Sequence, residues 1–501
     1  MEYFVAGIST LLSDPFCWFL IVAGVFMGIV FGCIPGLTAT LGVILMIPVS
    51  YSMTPIQGLT LLVSIYVGGI SGGLITAILI NIPGTPSSLV TCWDGNPMAK
   101  KGRPDLALSI GVFASLIGGI VSAILLMTVA PALSKVTLAF DSWEYFTLSF
   151  LGLSVVVSLT GKDTLKGIIA AIIGLVLGTV GTDSVTGLTR LTFGTWQLQG
   201  GIASTALMMA LFAVREIFIQ SKDLGQKRTK LQVKRLSFKP PFKELKGCWP
   251  TMAMGSLIGT FIGFLPGVGQ GTAAFLTYNQ SKSMSKHPEK FGTGCPEGIV
   301  ASESSNNAVN GGALIPLLTL GIPGDMTTAA LIGGLMIHGL QPGPTLFQSQ
   351  PDLVGTVMIV YLITNIVMYI MELGLMHAFI KAVDVPQSFL FPTILLACIL
   401  GVFSLNNRTF DLWIMVIFGI VGYFFTYCDF PMPPMILGFI LGGTVEKFFR
   451  TAMISSRGDF SVIFTRPIAL VFFILSILFI AMPVVKSLIA KMKKTNKADA
   501  V

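Results

Sequence analysis

Four Pro-Gly pairs carry the residues best suited to chemistry: Pro35-Gly36, Pro83-Gly84, Pro266-Gly267 and Pro323-Gly324. Each interrupts an apolar stretch and is followed by small or hydroxyl residues. After the first come Thr38 and Thr40; after the second, Thr85, Ser87 and Ser88. After the third come Gly269, Gln270, Gly271 and Thr272; after the fourth, Asp325, Thr327 and Thr328. Proline removes a backbone donor and ends a helix, and at membrane depth such a break lines a cavity or a protein-buried site. A helix restarting beyond it presents free N–H groups and the positive end of its dipole, which suits a carboxylate. Carbonyls freed at the end of the preceding helix suit Na⁺. The substrate-binding candidates are therefore Gly36, Thr38, Thr40, Gly84, Thr85, Ser87, Gly267, Gly269, Gln270, Thr272, Gly324 and Thr327. The bland alternative is that these glycines only permit close helix packing.

A second constellation is the polar run Glu297–Asn310, which enters the apolar segment Ala313–Leu320. On a helix Glu303 and Asn307 share a face, as do Ser302, Asn306 and Asn310. Amide oxygens there can ligate a cation and amide nitrogens can donate to a carboxylate. Asn81, Asp94, Glu303, Asn306 and Asn307 are the cation-coupling candidates, with Na⁺ expected at Asn81 and Asn306. Asp94-Gly95-Asn96-Pro97 has a turn signature. Glu372 is a rare intramembrane carboxylate and a candidate for proton coupling. Glu216 is expected to pair with Arg215 or to reach toward the interface.

These residues need a membrane scaffold. Of 501 residues 53% are hydrophobic and only 11% charged, with a mean hydropathy of +0.83. About a quarter charged is usual for a soluble protein, so a cytosolic enzyme and a nucleic-acid binder are excluded. Apolar runs of roughly 17 to 25 residues can span a bilayer as helices, and about a dozen are expected, among them Trp18–Ile34, Leu59–Ile80, Leu106–Leu133, Trp143–Leu159 and Leu353–Met376. Their length and continuity predict an all-α polytopic bundle rather than an alternating barrel. Seven scattered cysteines, three dispersed histidines and the absence of a Walker loop predict no cofactor and no enzymatic nucleophile.

The Pro-Gly breaks also form an internal repeat. Pro35-Gly36 matches Pro266-Gly267 and Pro83-Gly84 matches Pro323-Gly324, at offsets of 231 and 240 residues. The basic loops alternate between the halves: Lys100, Lys101 and Arg103 follow the second break, whereas Lys282, Lys286 and Lys290 follow the third. Since cytoplasmic loops carry the excess of Lys and Arg, the halves are expected to be inverted. The expected organisation is a first repeat at 1–221, a basic cytoplasmic linker at 222–248, a second repeat at 249–485 and a basic cytoplasmic tail at 486–501. Lys222–Lys246 carries +7 and Lys486–Val501 carries +4, so the remainder sums to −3. Lys447, Arg450, Arg457 and Arg466 fall on the outer side by this topology, against the charge rule. Whether Met435–Phe449 crosses fully is left open.

The blocks FGCIPGLTATLG, ILINIPGTPSSLVTCWDGNPMAKKGRPDLAL, FIGFLPGVGQGTAAFLTY, KHPEKFGTGCPEGIVASESSNNA and PLLTLGIPGDMTTAALIGGLMIHGLQPGP resemble the TctA family. These are the large membrane subunits of bacterial tripartite tricarboxylate transporters. The resemblance implies a secondary active importer in the bacterial inner membrane, working with a small four-helix membrane subunit and a periplasmic solute-binding protein. It also implies uptake of citrate or a related carboxylate, with Na⁺ or H⁺ as the coupling ion.

Overall fold

The computed structural model describes residues 2–137, 140–158, 164–183, 186–223, 241–383 and 385–481. Residues 224–240 of the expected linker and all of the expected tail lie outside the described residues. The chain begins with α1 (Glu2–Ser13), α2 (Pro15–Cys33), α3 (Ala39–Tyr51), α4 (Pro55–Ile80), α5 (Thr91–Lys100) and α6 (Pro104–Thr137). Then come α7 (Ser142–Ser158), α8 (Thr164–Gly178) and a short antiparallel pair, β1 (Gly181–Thr182) with β2 (Thr189–Arg190), which sets Gly181 opposite Arg190. Next are α9 (Ser204–Met209), a π-helical turn at Ala210–Val214, and α10 (Arg215–Gln220). They lead to α11 (Trp249–Phe264), α12 (Gly269–Met284), α13 (Pro296–Leu320), α14 (Met326–Ile337), α15 (Pro344–Ser349) and α16 (Pro351–Ala382). The chain continues through α17 (Gln387–Asn406), α18 (Thr409–Tyr427), α19 (Met432–Ser455) and α20 (Val462–Thr465).

The helix starts follow from local chemistry. Asp14 caps α2 by accepting from Phe16 N at 3.1 Å, with Pro15 at the first helical position. A hydrogen bond from Gln57 at 2.7 Å is the main influence holding the Asp14 carboxyl below its ordinary range. Thr54 and Gln57 close a capping box on α4, satisfying backbone donors that would otherwise be orphaned.

Among the described residues six helices are long and apolar enough to cross a membrane: α2, α4, α6, α16, α17 and α18. The expected dozen are not all of this kind. With 13 and 12 residues, α3 and α14 rise about 20 and 18 Å, short of a hydrocarbon core of about 30 Å. The Pro-Gly breaks thus divide the chain into helix–break–helix elements whose shorter arms do not cross alone. Asp94-Gly95-Asn96-Pro97, expected as a turn, is helical within α5. A buried bond from Asn96 Nδ2 to Ile78 O at 3.0 Å holds that segment against the end of α4, so tertiary packing overrides the turn signature. Met435–Phe449 lies within the single helix α19, which carries Glu446, Lys447 and Arg450 and is not among the six.

The chain forms two compact units, Met1–Lys135 with Met208–Gly419, and Val136–Leu207 with Ile420–Val501. Neither coincides with a chain half. In the first unit the repeat is visible contact by contact. Gly24, Gly28 and Gly32 of α2 press on Leu61 O, Ile65 O and Gly69 O of α4. With the same spacing, Gly255, Gly259 and Gly263 of α11 press on Ala301 O, Ser305 O and Val309 O of α13. Every partner is displaced by the same offset as its sequence counterpart. Small residues at four-residue spacing let helix backbones approach closely in a membrane bundle. The breaks correspond as well: Gly84 packs on Gly32 O and Gly324 on Gly263 O, while Asn81 and Gly321 end α4 and α13 in the left-handed region at φ of 58° and 72°.

The second unit holds α7, α8 and α19. Gly174 of α8 packs against Met435 O and Gly438 of α19 against Ala171 O. Arg450 pairs with Asp183 at 2.7 Å and Glu446 at 3.3 Å, and Arg466 with Asp141 at 2.8 Å and Glu144 at 2.9 Å. Two of the four basic residues that the expected topology places on the outer side are therefore bound into ion pairs within their own unit.

Candidate functional site

All four breaks converge on one cavity of about 340 Å³ in the first unit. Of the sequence candidates, Gly36, Thr38, Thr40, Thr85, Ser87, Gly267, Gly269, Gln270 and Thr327 line it. The starts of α3, α12 and α14 point there; the second break instead opens with a 3-10 turn at Pro86–Leu89 before α5 begins. Thr38 Oγ1 caps α3 by accepting from Leu41 N at 3.1 Å, and the Thr40 and Thr327 hydroxyls meet at 2.8 Å, joining the starts of α3 and α14. Thr85 and Ser87 hydroxyls meet at 2.9 Å. The lining thus sets hydroxyls, which can reorient to donate to an anion, among apolar side chains such as Leu41, Ile70, Phe212, Val268 and Met326.

Three charged residues also line the cavity. Asp325 closes a capping box on α14: its Oδ1 accepts from Thr328 N and Thr328 Oγ1, each at 2.7 Å. Its Oδ2 accepts from Tyr66 OH of α4 at 2.5 Å and from Gln270 Nε2 of α12. Opposite charges come from a segment the sequence reading treated only as an ion pair. Arg215 and Glu216 pair at 3.0 Å as expected, and both line the cavity beside Phe212. Sequence alone missed this placement because it depends on the π-helical turn, which rotates the face that follows it. The Tyr66 contact was missed because a tyrosine inside an apolar run carries no local signal.

A second polar cluster is wholly buried. Glu303 accepts from Thr91 Oγ1, from Ser115 Oγ at 3.2 Å, and from Asn307 Nδ2 and Asn306 Nδ2 at 3.4 and 3.5 Å. Asn306 Oδ1 and Asn307 Oδ1 are buried with no hydrogen-bond partner among the described residues. Such orphaned acceptors are costly in a low dielectric, and they are the donor atoms a hard cation wants. Gln270 Nε2 also lies 3.5 Å from Asn310 Oδ1, one helical turn beyond Asn306 on α13. The two clusters are joined along the chain, because Thr91 lies four residues beyond Ser87.

The other candidates fall elsewhere. Asp94 is buried and engaged by protein alone: Oδ1 accepts from Gly292, Gly294 and Cys295 N at 2.7 to 3.0 Å, and Oδ2 from Tyr278 OH at 2.8 Å. It fastens α5 to the loop that precedes α13. Asn81 is exposed at the end of α4, whereas Asn306 is buried in the middle of α13, and no hydrogen bond joins them. Gly84 and Gly324 face backbone rather than the cavity. The Thr272 hydroxyl donates to Val268 O at 3.0 Å on an exposed face. Glu372 is buried on α16 and accepts from Ser71 Oγ at 3.0 Å.

The model of the tripartite tricarboxylate transporter TctA family matches residues 18–437. The chain belongs to the TctA family. It is therefore a multi-pass membrane component of a tripartite tricarboxylate transporter. Two proteins of Agrobacterium vitis are similar to it. One is an uncharacterized 52.8 kDa protein in the TAR-I ttuC′ 3′ region, 38% identical over 450 residues that cover 89% of each chain. The other is an uncharacterized protein in the TAR-II ttuC′ 3′ region, 39% identical over 211 residues, or 42% of this chain and 87% of the relative. No solved structure matches. The matched region of this TctA chain contains the cavity and the buried Glu303 cluster entire.

Proposed function

We propose that this TctA chain imports citrate or a related di- or tricarboxylate across the bacterial inner membrane. The substrate arrives from a periplasmic solute-binding protein, a small four-helix subunit completes the membrane complex, and a Na⁺ or H⁺ gradient drives accumulation. The observation that carries the reading is the meeting of all four breaks, with their hydroxyl residues Thr38, Thr40, Thr85, Ser87 and Thr327, in one cavity. Carboxylate oxygens sit on the starts of α3, α12 and α14 and on Ser87. The coupling cation sits at Glu303, Asn306 and Asn307, whose orphaned amide oxygens supply the neutral ligands.

Coupling follows from the connections between the two places. A cation at Glu303 fixes Thr91 and hence the Ser87 turn, and it fixes α13 and hence Asn310 and Gln270. Each ligand then favours the arrangement the other needs, and the affinity gain is reciprocal. About twelve segments in two inverted repeats would let the shared cavity face either side in turn.

Uptake in proteoliposomes containing the membrane subunits and the binding protein tests this. Carboxylate accumulation that requires both a cation gradient and the binding protein is the expected result. Equilibrative flux without either would leave a passive pore instead. The same cavity admits other small organic anions, and a ligand screen on the binding protein identifies the acid.

A further inference from the structure

Arg215 is the only basic side chain among the described residues that line the cavity. Its guanidinium is incompletely used. One terminal nitrogen meets Glu216 Oε2 at 3.0 Å, while Nε is buried with no hydrogen-bond partner among the described residues. The side chain is only 20% exposed, so solvent does not readily satisfy that nitrogen. Glu216 is itself held: its Oε1 accepts from Gln220 Nε2 at 2.9 Å, and the same Nε2 donates to Gly36 O at 2.7 Å. The ion pair is thus tied to the first break of the repeat.

The fork of a guanidinium matches a carboxylate with two parallel hydrogen bonds, and Glu216 takes only part of it. Nε itself has no surface open to the cavity, so a ligand carboxylate draws on the terminal nitrogens that Glu216 leaves. The helix starts of α3, α12 and α14 already provide for one carboxylate. Asp325 cannot turn to Arg215 without abandoning donors, since Tyr66, Gln270 and Thr328 engage both of its oxygens. The fixed charges around the cavity, Arg215 against Glu216 and Asp325, leave a surplus of one negative charge. A polyanion therefore needs both Arg215 and a co-bound cation.

We propose that Arg215 binds a second carboxylate of the substrate and so selects di- and tricarboxylates over monocarboxylates, with Glu216 as an internal competitor that weakens this grip. The inference rests on the carboxylate reading above and assigns its specificity to one side chain.

Equilibrium binding of succinate and of its half-amide succinamate to the full chain in nanodiscs, with Na⁺ present, tests it. The unaltered chain prefers succinate. Arg215→Gln removes the preference by weakening succinate about tenfold or more, the scale of a lost hydrogen bond to a charged group, and weakens succinamate, which offers no second carboxylate, by much less. Arg215→Lys keeps the preference at lower affinity, and Glu216→Gln tightens succinate severalfold, a gain that misfolding cannot mimic. Undiminished preference in Arg215→Gln overturns the proposal, as does Glu216→Gln weakening succinate, because the pair would then be structural. If the unaltered chain binds succinate but not in preference to succinamate, this inference falls and the carboxylate reading stands. If it binds neither these acids nor citrate, both fall.

Discussion

The hydroxyl of Tyr66 in α4 donates to Oδ2 of Asp325 at 2.5 Å, across 259 positions of sequence. One partner belongs to the first-half helix that ends at the Asn81 break, the other to the second-half break that starts α14. With Gln270 of α12 on the same oxygen, the bond ties three broken elements together at the cavity wall. Asp325 is therefore a strut as well as a cap.

Tyr66→Phe removes that donor while keeping the ring, which is fully buried. Asp325 retains Thr328 and Gln270, so the cost is one hydrogen bond to a charged group, about 1.5–3 kcal/mol. Thermal unfolding of the purified variant should show this loss, and unchanged stability would remove Tyr66 from the strut.

The corresponding glycines predict corresponding damage. A Cβ at Gly32 would collide with Gly69 O, and one at Gly263 with Val309 O, contacts at equivalent places in the two halves. Backbone cannot yield as a flexible side chain can, so Gly32→Ala and Gly263→Ala should each cost about 1–3 kcal/mol. Gly374→Ala is the control: its Cβ meets nothing within 4 Å on an exposed helical face. It should be neutral or gain up to about 1 kcal/mol from helix propensity. Thermal shifts of the three variants read the difference directly.

Much of this was legible in the residues. The Pro-Gly pairs with their hydroxyl followers mark the cavity, because proline chemistry is local and the positions of Thr38, Ser87, Gly269 and Thr327 follow from it. The Glu303–Asn307 face was legible from helical spacing alone. Arg215 and Tyr66 were not, since a π-helical turn and a long-range packing contact place them. Asp94 shows what local sequence does not carry: a carboxylate beside a break invites a ligand role, and the structure adds three backbone donors and Tyr278 around it. The meaning of Gly84 and Gly324 also changed, from ligand positions to points of contact with Gly32 O and Gly263 O.

Glu303→Gln and Asn306→Ala separate coupling from folding. The glutamine keeps the shape and most donors' partners but removes the charge, and the alanine removes one amide oxygen ligand. Both should express and sort normally, with uptake that loses its dependence on the coupling cation or needs about tenfold more of it. Initial uptake rates across Na⁺ and pH series measure this. Wild-type cation dependence in both variants would place the ion elsewhere.

Orientation is open to a labelling experiment. Ser52, after α3, and Ser283, near the end of α12, are both exposed, and the inverted arrangement puts them on opposite faces of the membrane. Single cysteines there, in a background lacking the native seven, should react with a membrane-impermeant maleimide from opposite sides. Reaction of both from one side would refute inversion.

The central claim is that the substrate occupies the cavity where the four breaks meet. Val268 lines it, is partly exposed and has an apolar side chain, so Val268→Cys introduces a probe without removing a polar side chain. The maleimide labelling rate of this variant, measured with and without citrate and the coupling cation in a chain that still transports, tests the claim most directly. Slower labelling in the presence of both is the predicted result. An unchanged rate in a transport-competent variant would contradict it.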